Sequence, residues 1–283
     1  MEYWLAWFHE GNDQVKQVAQ AAEQMGYAGI AVSDHVAIPR DYTSVHPNGT
    51  RHIHAHTRFP DAMITIATMA AVTTTLRFMT YVYVLPMREP FSAAKQAATV
   101  AMQSDQRFIF GVGAGWCEDE IELLGHSPRM RGPRMDEMLA VMQDFWEDGM
   151  AEFEGEYYRF PPTGQFPVAG HVPVWIGGKS PAALRRAARF DGWLGMNYPM
   201  DEIRQLLDRL DEERRHVEDG RGPAPFGRFV IPQAEPDHDI YRRLEDWGID
   251  GTVAMAWTVD DPACHSLDAK LEAMERFADR FIR

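Results

Sequence analysis

The sequence predicts an α/β fold, an eight-stranded (β/α)8 barrel, and three observations lead there. Short apolar runs alternate with amphipathic helical patterns along the chain, the arrangement that builds a parallel sheet from βα units. Most of these runs are apolar at consecutive positions, as expected of strands covered on both faces. Eight such pairs fit into 283 residues, the count and length of one closed barrel. An open doubly wound sheet is the alternative arrangement of the same elements.

Residues 3–8 form the first strand. Over 12–25, Val15, Val18, Ala19, Ala22 and Met25 share one face with glutamines largely opposite, which predicts a helix capped by Asn12 and ended at Gly26. A second strand follows at 29–32, then a long loop to about Phe59. Residues 60–72 read as an Ala- and Met-rich helix, 76–85 as a third strand ended by Pro86, 92–104 as a helix, 107–112 as a fourth strand and 136–146 as a helix. A small hairpin turning at Glu154 and Gly155, then a Pro-rich excursion, forms an insertion at about 150–173 within a single domain spanning 1–283. Beyond it come a strand from Val174, a helix after Ser180, a strand over 193–196 and a helix from Asp201. A strand over 228–233, a short helix over 241–247, a strand over 251–257 and a closing helix over Leu267–Phe281 complete the set. Three junctions, MGYAGIAV at 25, FDGWLGM at 190 and WGIDGTVAM at 247, each run helix end, Gly turn, buried strand, a weak internal repeat of the βα unit.

Lys and Arg number 28 against 42 Asp and Glu, a net charge of −14, which disfavours nucleic acid or an anionic membrane as partner. Two cysteines, Cys117 and Cys264, are too few for a disulfide framework and fit a reducing compartment. The N-terminal apolar run lacks a basic leader and a cleavage site, and no stretch approaches about 18 uninterrupted apolar residues. The expectation is a cytoplasmic protein acting on a small-molecule substrate.

A barrel of this kind carries its chemistry just after the strand ends. After the second strand stand Ser33, Asp34 and His35; an imidazole there is suited to moving protons near neutral pH. The plainer alternative is that Asp34 caps a turn and His35 is a partly buried polar residue. After the fourth strand, GVGAGW at 111–116 has the small-residue spacing that lets backbone amides approach a phosphate or ring system, but it is not a full dinucleotide fingerprint. After the fifth, Gly177, Gly178, Lys179 and Ser180 precede Pro181, so two flexible residues, a cation and a helix N-terminus form an expected anion cradle. His46, His52, His54 and His56 invite a metal reading, but they lie in a polar loop without a nearby carboxylate pair. No metal is expected, and the loop reads as a mobile lid.

These strand ends, together with AAVTTTLRFMTYVYVLPMREP, AAKQAATV, RFIFGVGAGWCEDEIELLG, RGPRMDEML, FEGEYYRF and PVWIGGKSPAALRRAARFDGW, have the order and spacing of the bacterial-luciferase-like oxidoreductases. Over nearly its whole length the chain resembles their F420-dependent branch. The resemblance implies a luciferase-like (β/α)8 TIM barrel holding coenzyme F420 at the C-terminal mouth of its strands. The catalytic pair would be His35 and Asp34: Asp34 would contact the deazaflavin and fix its ring or the imidazole, and His35 would transfer the proton that accompanies hydride transfer. A non-proline cis peptide would fall near Val82 and Tyr83, with Tyr83 and Leu85 at the ring. The phosphate tail would lie along Val112, Gly113 and Cys117 and against Gly177, Gly178, Lys179, Ser180 and Pro181.

The implied reaction passes a hydride between F420 and a small organic substrate bearing a C=C, C=O or alcohol group. An FMN-dependent monooxygenase is the alternative on the same barrel, and a non-catalytic flavin- or F420-binding protein is the alternative of another class. A homodimer is implied by the resemblance alone. Ala114 replaces the acidic residue of the sugar-phosphate dehydrogenase branch, and Asn197 and Tyr198 stand where that branch has a substrate-binding Lys. Glucose 6-phosphate is therefore disfavoured. Glu118 and Glu120 lie close by and are assigned no catalytic role.

Overall fold

The computed structural model describes residues 1–47, 49, 53–217, 225–258 and 261–283. In chain order these form β1 (Glu2–Trp7), α1 (Val15–Met25), β2 (Gly29–Val32), α2 (Ala62–Ala70), β3 (Arg77–Thr80), β4 (Tyr83–Val84), α3 (Pro90–Gln103) and β5 (Phe108–Gly113). Next come α4 (Glu118–Leu123), α5 (Arg131–Glu147), β6 (Met150–Glu154), β7 (Arg159–Gly164), β8 (Val174–Gly177), α6 (Pro181–Ala187) and β9 (Gly192–Tyr198). The chain continues through α7 (Met200–Arg215), β10 (Gly227–Pro232), α8 (His238–Asp246), β11 (Gly251–Ala254) and α9 (Leu267–Phe281).

The parallel strands pair in the order β3, β2, β1, β11, β10, β9, β8, β5, β4, and β3 also pairs with β5, which closes the ring. Because β3 and β4 are two pieces of one stave, the result is a closed eight-stave parallel barrel with helices around it. The alternation of strand side chains divides the core in two. Trp4, Ala31, Met79, Trp175, Leu194 and Phe229 fill the barrel interior, while Leu5, Ile30, Phe78, Phe110, Val174 and Trp193 face the helices. Two apolar surroundings for each strand explain the runs of consecutive hydrophobic residues.

Sequence and structure part in several places. The helix expected from Asn12 begins at Val15, with Gln14 at its N-cap and no side-chain cap; the Asn12 side chain instead accepts from the Thr65 hydroxyl at 3.4 Å. The strand expected over 76–85 is split in two, with a non-proline cis peptide between Tyr81 and Val82, beside the place the resemblance implies. The first half also contains α4, which was not expected, and α5 starts five residues earlier than its apolar stripe suggests. The insertion is a two-stranded antiparallel sheet of β6 and β7, with Gly155–Tyr158 as its turn.

The broken stave packs tightly on β5. A Cβ on Gly111 would lie 2.0 Å from the Thr80 carbonyl oxygen and 2.7 Å from Leu194 Cδ1. The nearer neighbour is backbone rather than a side-chain tip that could turn aside, so Gly111→Ala must push strands apart. It is expected to destabilise by about 1–3 kcal/mol or more, read as a lower urea midpoint at unchanged m-value.

Candidate active site

A cavity of about 1280 Å³ opens at the C-terminal ends of the barrel strands. Its walls come from the segments after successive strands, including His9, Asp34, His35, Gly113, Gly177, Asn197 and Trp257. This is where the barrel architecture places function.

His35 lies on this wall and is 8% exposed. Its Nδ1 is 2.5 Å from Oε2 of Glu120, a fully buried carboxylate. The other Glu120 oxygen accepts the backbone N–H groups of Val36 and Ala37 at 2.6 and 2.9 Å. Glu120 therefore holds both the imidazole and the backbone that follows it. Phe59 and Trp116 flank the ring, with centroids 4.6 and 5.6 Å away. With Nδ1 committed to the carboxylate, Nε2 is the ring nitrogen left for a molecule in the cavity. The sequence reading passed over Glu120. Its signal was a charge on an apolar stripe: Cys117, Ile121 and Leu124 recur at helical spacing, and Glu120 shares their buried side.

Asp34 also lines the cavity, but its carboxylate is turned to the protein. Its two oxygens receive Arg88 Nη1 and Nη2, each at 2.7 Å, and Oδ2 also accepts the Val84 N–H at 2.9 Å. The Arg88 guanidinium in turn lies 4.1 Å from the centroid of the Tyr83 ring. Of the two roles expected of Asp34, fixing the imidazole is corrected: Glu120 does so, and Asp34 pins β4 and Arg88.

The side chains around the break in the third stave divide between the cavity and the layer outside the barrel. Tyr81, Val82 and Val84 line the cavity, whereas Tyr83 and Leu85 are buried in the layer between barrel and helices. Val112 belongs to that outer layer too, and Gly113 takes the inner side. Val82 sits between two glycines. A Cβ on either Gly113 or Gly177 would come within 2.7 Å of it. Cys117 is fully buried at the start of α4, off the cavity, where desolvation pushes its thiol pKa up.

Around the expected anion cradle, Gly177, Gly178, Lys179 and Ser180 do line the cavity, followed by Ala182 and Ala183, while Pro181 does not. Lys179 Nζ is paired with Glu202 at 2.7 Å and stands 5.0 Å from the Tyr198 ring centroid. The Ser180 hydroxyl accepts the Ala183 N–H at 3.2 Å as the cap of α6. The cation and one amide of the cradle are thus already engaged, and Arg129 and Arg131 add positive charge to the cavity wall. Burial pushes the Tyr198 phenol up to about 12, so at neutral pH it is a hydroxyl donor.

The segment after β2 covers His35 and contributes Val45, His46, Pro47 and Ile53 to the cavity. His46 stands edge-on to Trp116 at 5.1 Å, His54 and His56 are exposed neighbours, and His52 lies outside the described residues. Among the described residues no three His, Cys, Asp or Glu side chains are grouped as a metal site. On the opposite wall, Trp257 Nε1 donates to Glu10 at 2.7 Å, and Glu10 is bound in turn by Lys270 at 2.5 Å, which fixes the indole from the closing helix.

Asp119, next to Glu120, latches the covering segment. Its carboxylate accepts the Ser44 hydroxyl at 2.5 Å and the Ser44 and Thr43 amides at 2.9 and 3.2 Å. These bonds, the Ser44 hydroxyl first, lower its pKa to about 2. A lowered carboxylate pKa gives stability that is complete above the usual value of 3.8 and fades as pH falls towards 2. The Thr43 and Ser44 amide resonances are therefore expected to hold their positions at neutral pH and move between about pH 4 and 2, and Asp119→Ala should move them at every pH.

No described helix is long and apolar enough to cross a membrane. An uncharacterized protein of Mycobacterium tuberculosis, Rv0940c, is 33% identical over 94% of this chain and 93% of its own length. An F420-dependent glucose-6-phosphate dehydrogenase of Microbacterium testaceum is 26% identical over 96% of this chain and 80% of its own. Among solved structures, the monooxygenase RslO1 from Streptomyces bottropensis superposes with a TM-score of 0.78 at 16% identity, covering 100% of this chain and 99% of that one. The sequence model for luciferase-like monooxygenases matches residues 6–280, and the chain belongs to that family of oxidoreductases.

Proposed function

We propose that this protein is an F420-dependent oxidoreductase that passes a hydride between the deazaflavin and a small organic substrate carrying a C=C, C=O or alcohol group. The observation that carries this reading is a cavity-wall imidazole, His35, whose Nδ1 is fixed by the buried Glu120 carboxylate. The fit to a flat cofactor rests on three features. The cavity, at about 1280 Å³, exceeds the usual 300–1,000 Å³ of a single-ligand pocket and leaves room for two molecules. The Gly113 and Gly177 strand ends carry no side chain, and Val82 fills the space between them. Arg129 on the cavity wall, with Arg131 beside it paired at 3.2 Å to Glu118, suits the anionic end of the cofactor.

When bound, the reduced deazaflavin supplies the hydride. The chain supplies orientation and the proton. With its Nδ1–H hydrogen-bonded to Glu120, the neutral ring keeps the Nε2 lone pair available as a base, and after Nε2 gains a proton the same carboxylate pairs with the charged ring. Nε2 then gives or takes the proton at the substrate oxygen or carbon. The covering segment with Val45, His46 and Ile53, and the aromatic walls of Phe59, Trp116 and Trp257, exclude water from that exchange. The relative from Microbacterium testaceum, F420-dependent by name, supports the choice of cofactor.

The test is a titration of the purified protein with F420 and with FMN, each in oxidised and reduced form, followed by absorbance, fluorescence and oxygen uptake. Saturable F420 binding without rapid oxygen consumption is expected. Oxygen uptake dependent on reduced FMN, with no deazaflavin bound, would make the protein a flavin monooxygenase instead. F420 binding with no turnover across carbonyl, alkene and alcohol panels would leave a carrier.

A further inference from the structure

Strand β9 breaks its alternation at one point, and the break decides which of its side chains meets the cavity. Leu194 pairs with Phe229 of β10, and both fill the barrel interior. Gly195 pairs with Val230, which packs in the outer layer. Strict alternation from there would turn Met196 inward and Asn197 outward. Instead the register shifts: Ile231 pairs with Asn197, and Met196 is left as the extra residue of a bulge, in contact with both layers. Paired neighbours share a face, and Ile231 packs against the barrel interior. The bulge therefore carries Asn197 to the inner side, where it and Ile231 both line the cavity.

The bulge is braced by its surroundings. The buried Tyr81 hydroxyl donates to the Gly195 carbonyl at 2.5 Å, and a Cβ on Gly195 would lie 2.6 Å from the Trp193 ring and 2.7 Å from Val230. Asn197 has no share in this bracing, since among the described residues its carboxamide has no hydrogen-bond partner. Its wall neighbours Met196 and Ile231 are apolar, and the Tyr81 hydroxyl is already spent on Gly195. An isolated amide on such a wall carries two N–H donors and one acceptor oxygen and no charge. Ligand pockets use a few polar groups of this kind, set among apolar ones, to fix orientation and choice of ligand.

We propose that Asn197 selects substrates bearing an uncharged oxygen, either a carbonyl that accepts from its NH2 group or a hydroxyl that donates to its oxygen. The inference rests on the reading of this cavity as the site of hydride transfer, and it narrows the substrate: carbonyl compounds and alcohols are favoured over plain alkenes. A carboxylate of the same shape is disfavoured, because it gives up more hydration on entry and finds no counter-charge in a carboxamide. The bulge is the device that delivers this selectivity, since without it the amide would face the helices.

The experiment titrates the protein by calorimetry, with and without oxidised F420, against acetophenone, α-methylstyrene and benzoate, which share nearly one shape. The wild type is expected to bind acetophenone about two- to tenfold more tightly than α-methylstyrene, the worth of one neutral hydrogen bond, and benzoate least tightly. In Asn197→Leu the preference for acetophenone should vanish while α-methylstyrene binds at least as well as before. Asn197→Asp keeps the shape but lacks the donor, and should lose the preference too. The urea midpoint of Asn197→Leu should stay near the wild-type value, because no bond within the protein is broken. Equal affinity of the wild type for acetophenone and α-methylstyrene, no saturable binding of acetophenone, or tightest binding of benzoate each overturns the assignment. So does an equal loss for all probes in Asn197→Leu, which would mark a packing role. Failure of the F420 reading shows separately, as no heat of deazaflavin binding in the same protein.

Discussion

His35→Ala is expected to lower turnover by about 10²–10⁴-fold, the usual contribution of one positioned acid–base group, while cofactor affinity changes little. The more informative variant is Glu120→Gln. Its carbonyl oxygen can still accept the Val36 and Ala37 amides, so the backbone after β2 stays in place. Its NH2 group then faces Nδ1 of His35 and forces the proton to Nε2. The ring keeps its position with the opposite tautomer, and a base becomes a neutral donor. Turnover is expected to fall about 10–100-fold, as when the partner that orients a functional histidine is lost, with a changed pH profile and an unchanged dissociation constant for the cofactor. Steady-state kinetics at several pH values, paired with cofactor titration, reads both quantities. Wild-type turnover in His35→Ala would remove the imidazole from the chemistry, and an unaltered pH profile in Glu120→Gln would reduce Glu120 to a packing residue.

Asp34→Ala is expected to act on stability before it acts on catalysis. The Asp34 and Arg88 side chains are 1% and 18% exposed, and removing one partner of a pair so enclosed destabilises by about 3–5 kcal/mol because the other charge is left uncompensated. The Val84 amide loses its acceptor in the same step, which adds to the penalty. Urea unfolding should show the loss as a lower midpoint. Asp34→Ala/Arg88→Met should recover part of it, since the stranded guanidinium is gone and an apolar chain remains over the Tyr83 ring. A midpoint for Asp34→Ala equal to that of the wild type would show that the carboxylate does not hold β4.

The barrel was legible because its determinants are local and repeated. Consecutive apolar residues over Gly29–Val32 and the recurring helix, Gly turn and strand junctions reveal strands buried on both faces without any long-range information. His35 was legible for the same reason, as an imidazole at a strand end. What escaped depends on register or on distance along the chain. Tyr83 and Leu85, expected at the ring, pack in the outer layer while Val82 lines the cavity, and the face each side chain takes is not given by the apolar run over 76–85. Glu120 lies 85 residues from His35, and no local pattern states that the two will meet. Arg88, 54 residues from Asp34, is hidden from a sequence reading for the same reason.

The carboxylate at the start of α4 has one further consequence. It is bonded at once to the imidazole and to the first two amides of the segment that roofs the cavity. Because this carboxylate is fully buried, a change at position 120 is felt by the imidazole and by the backbone after β2 together.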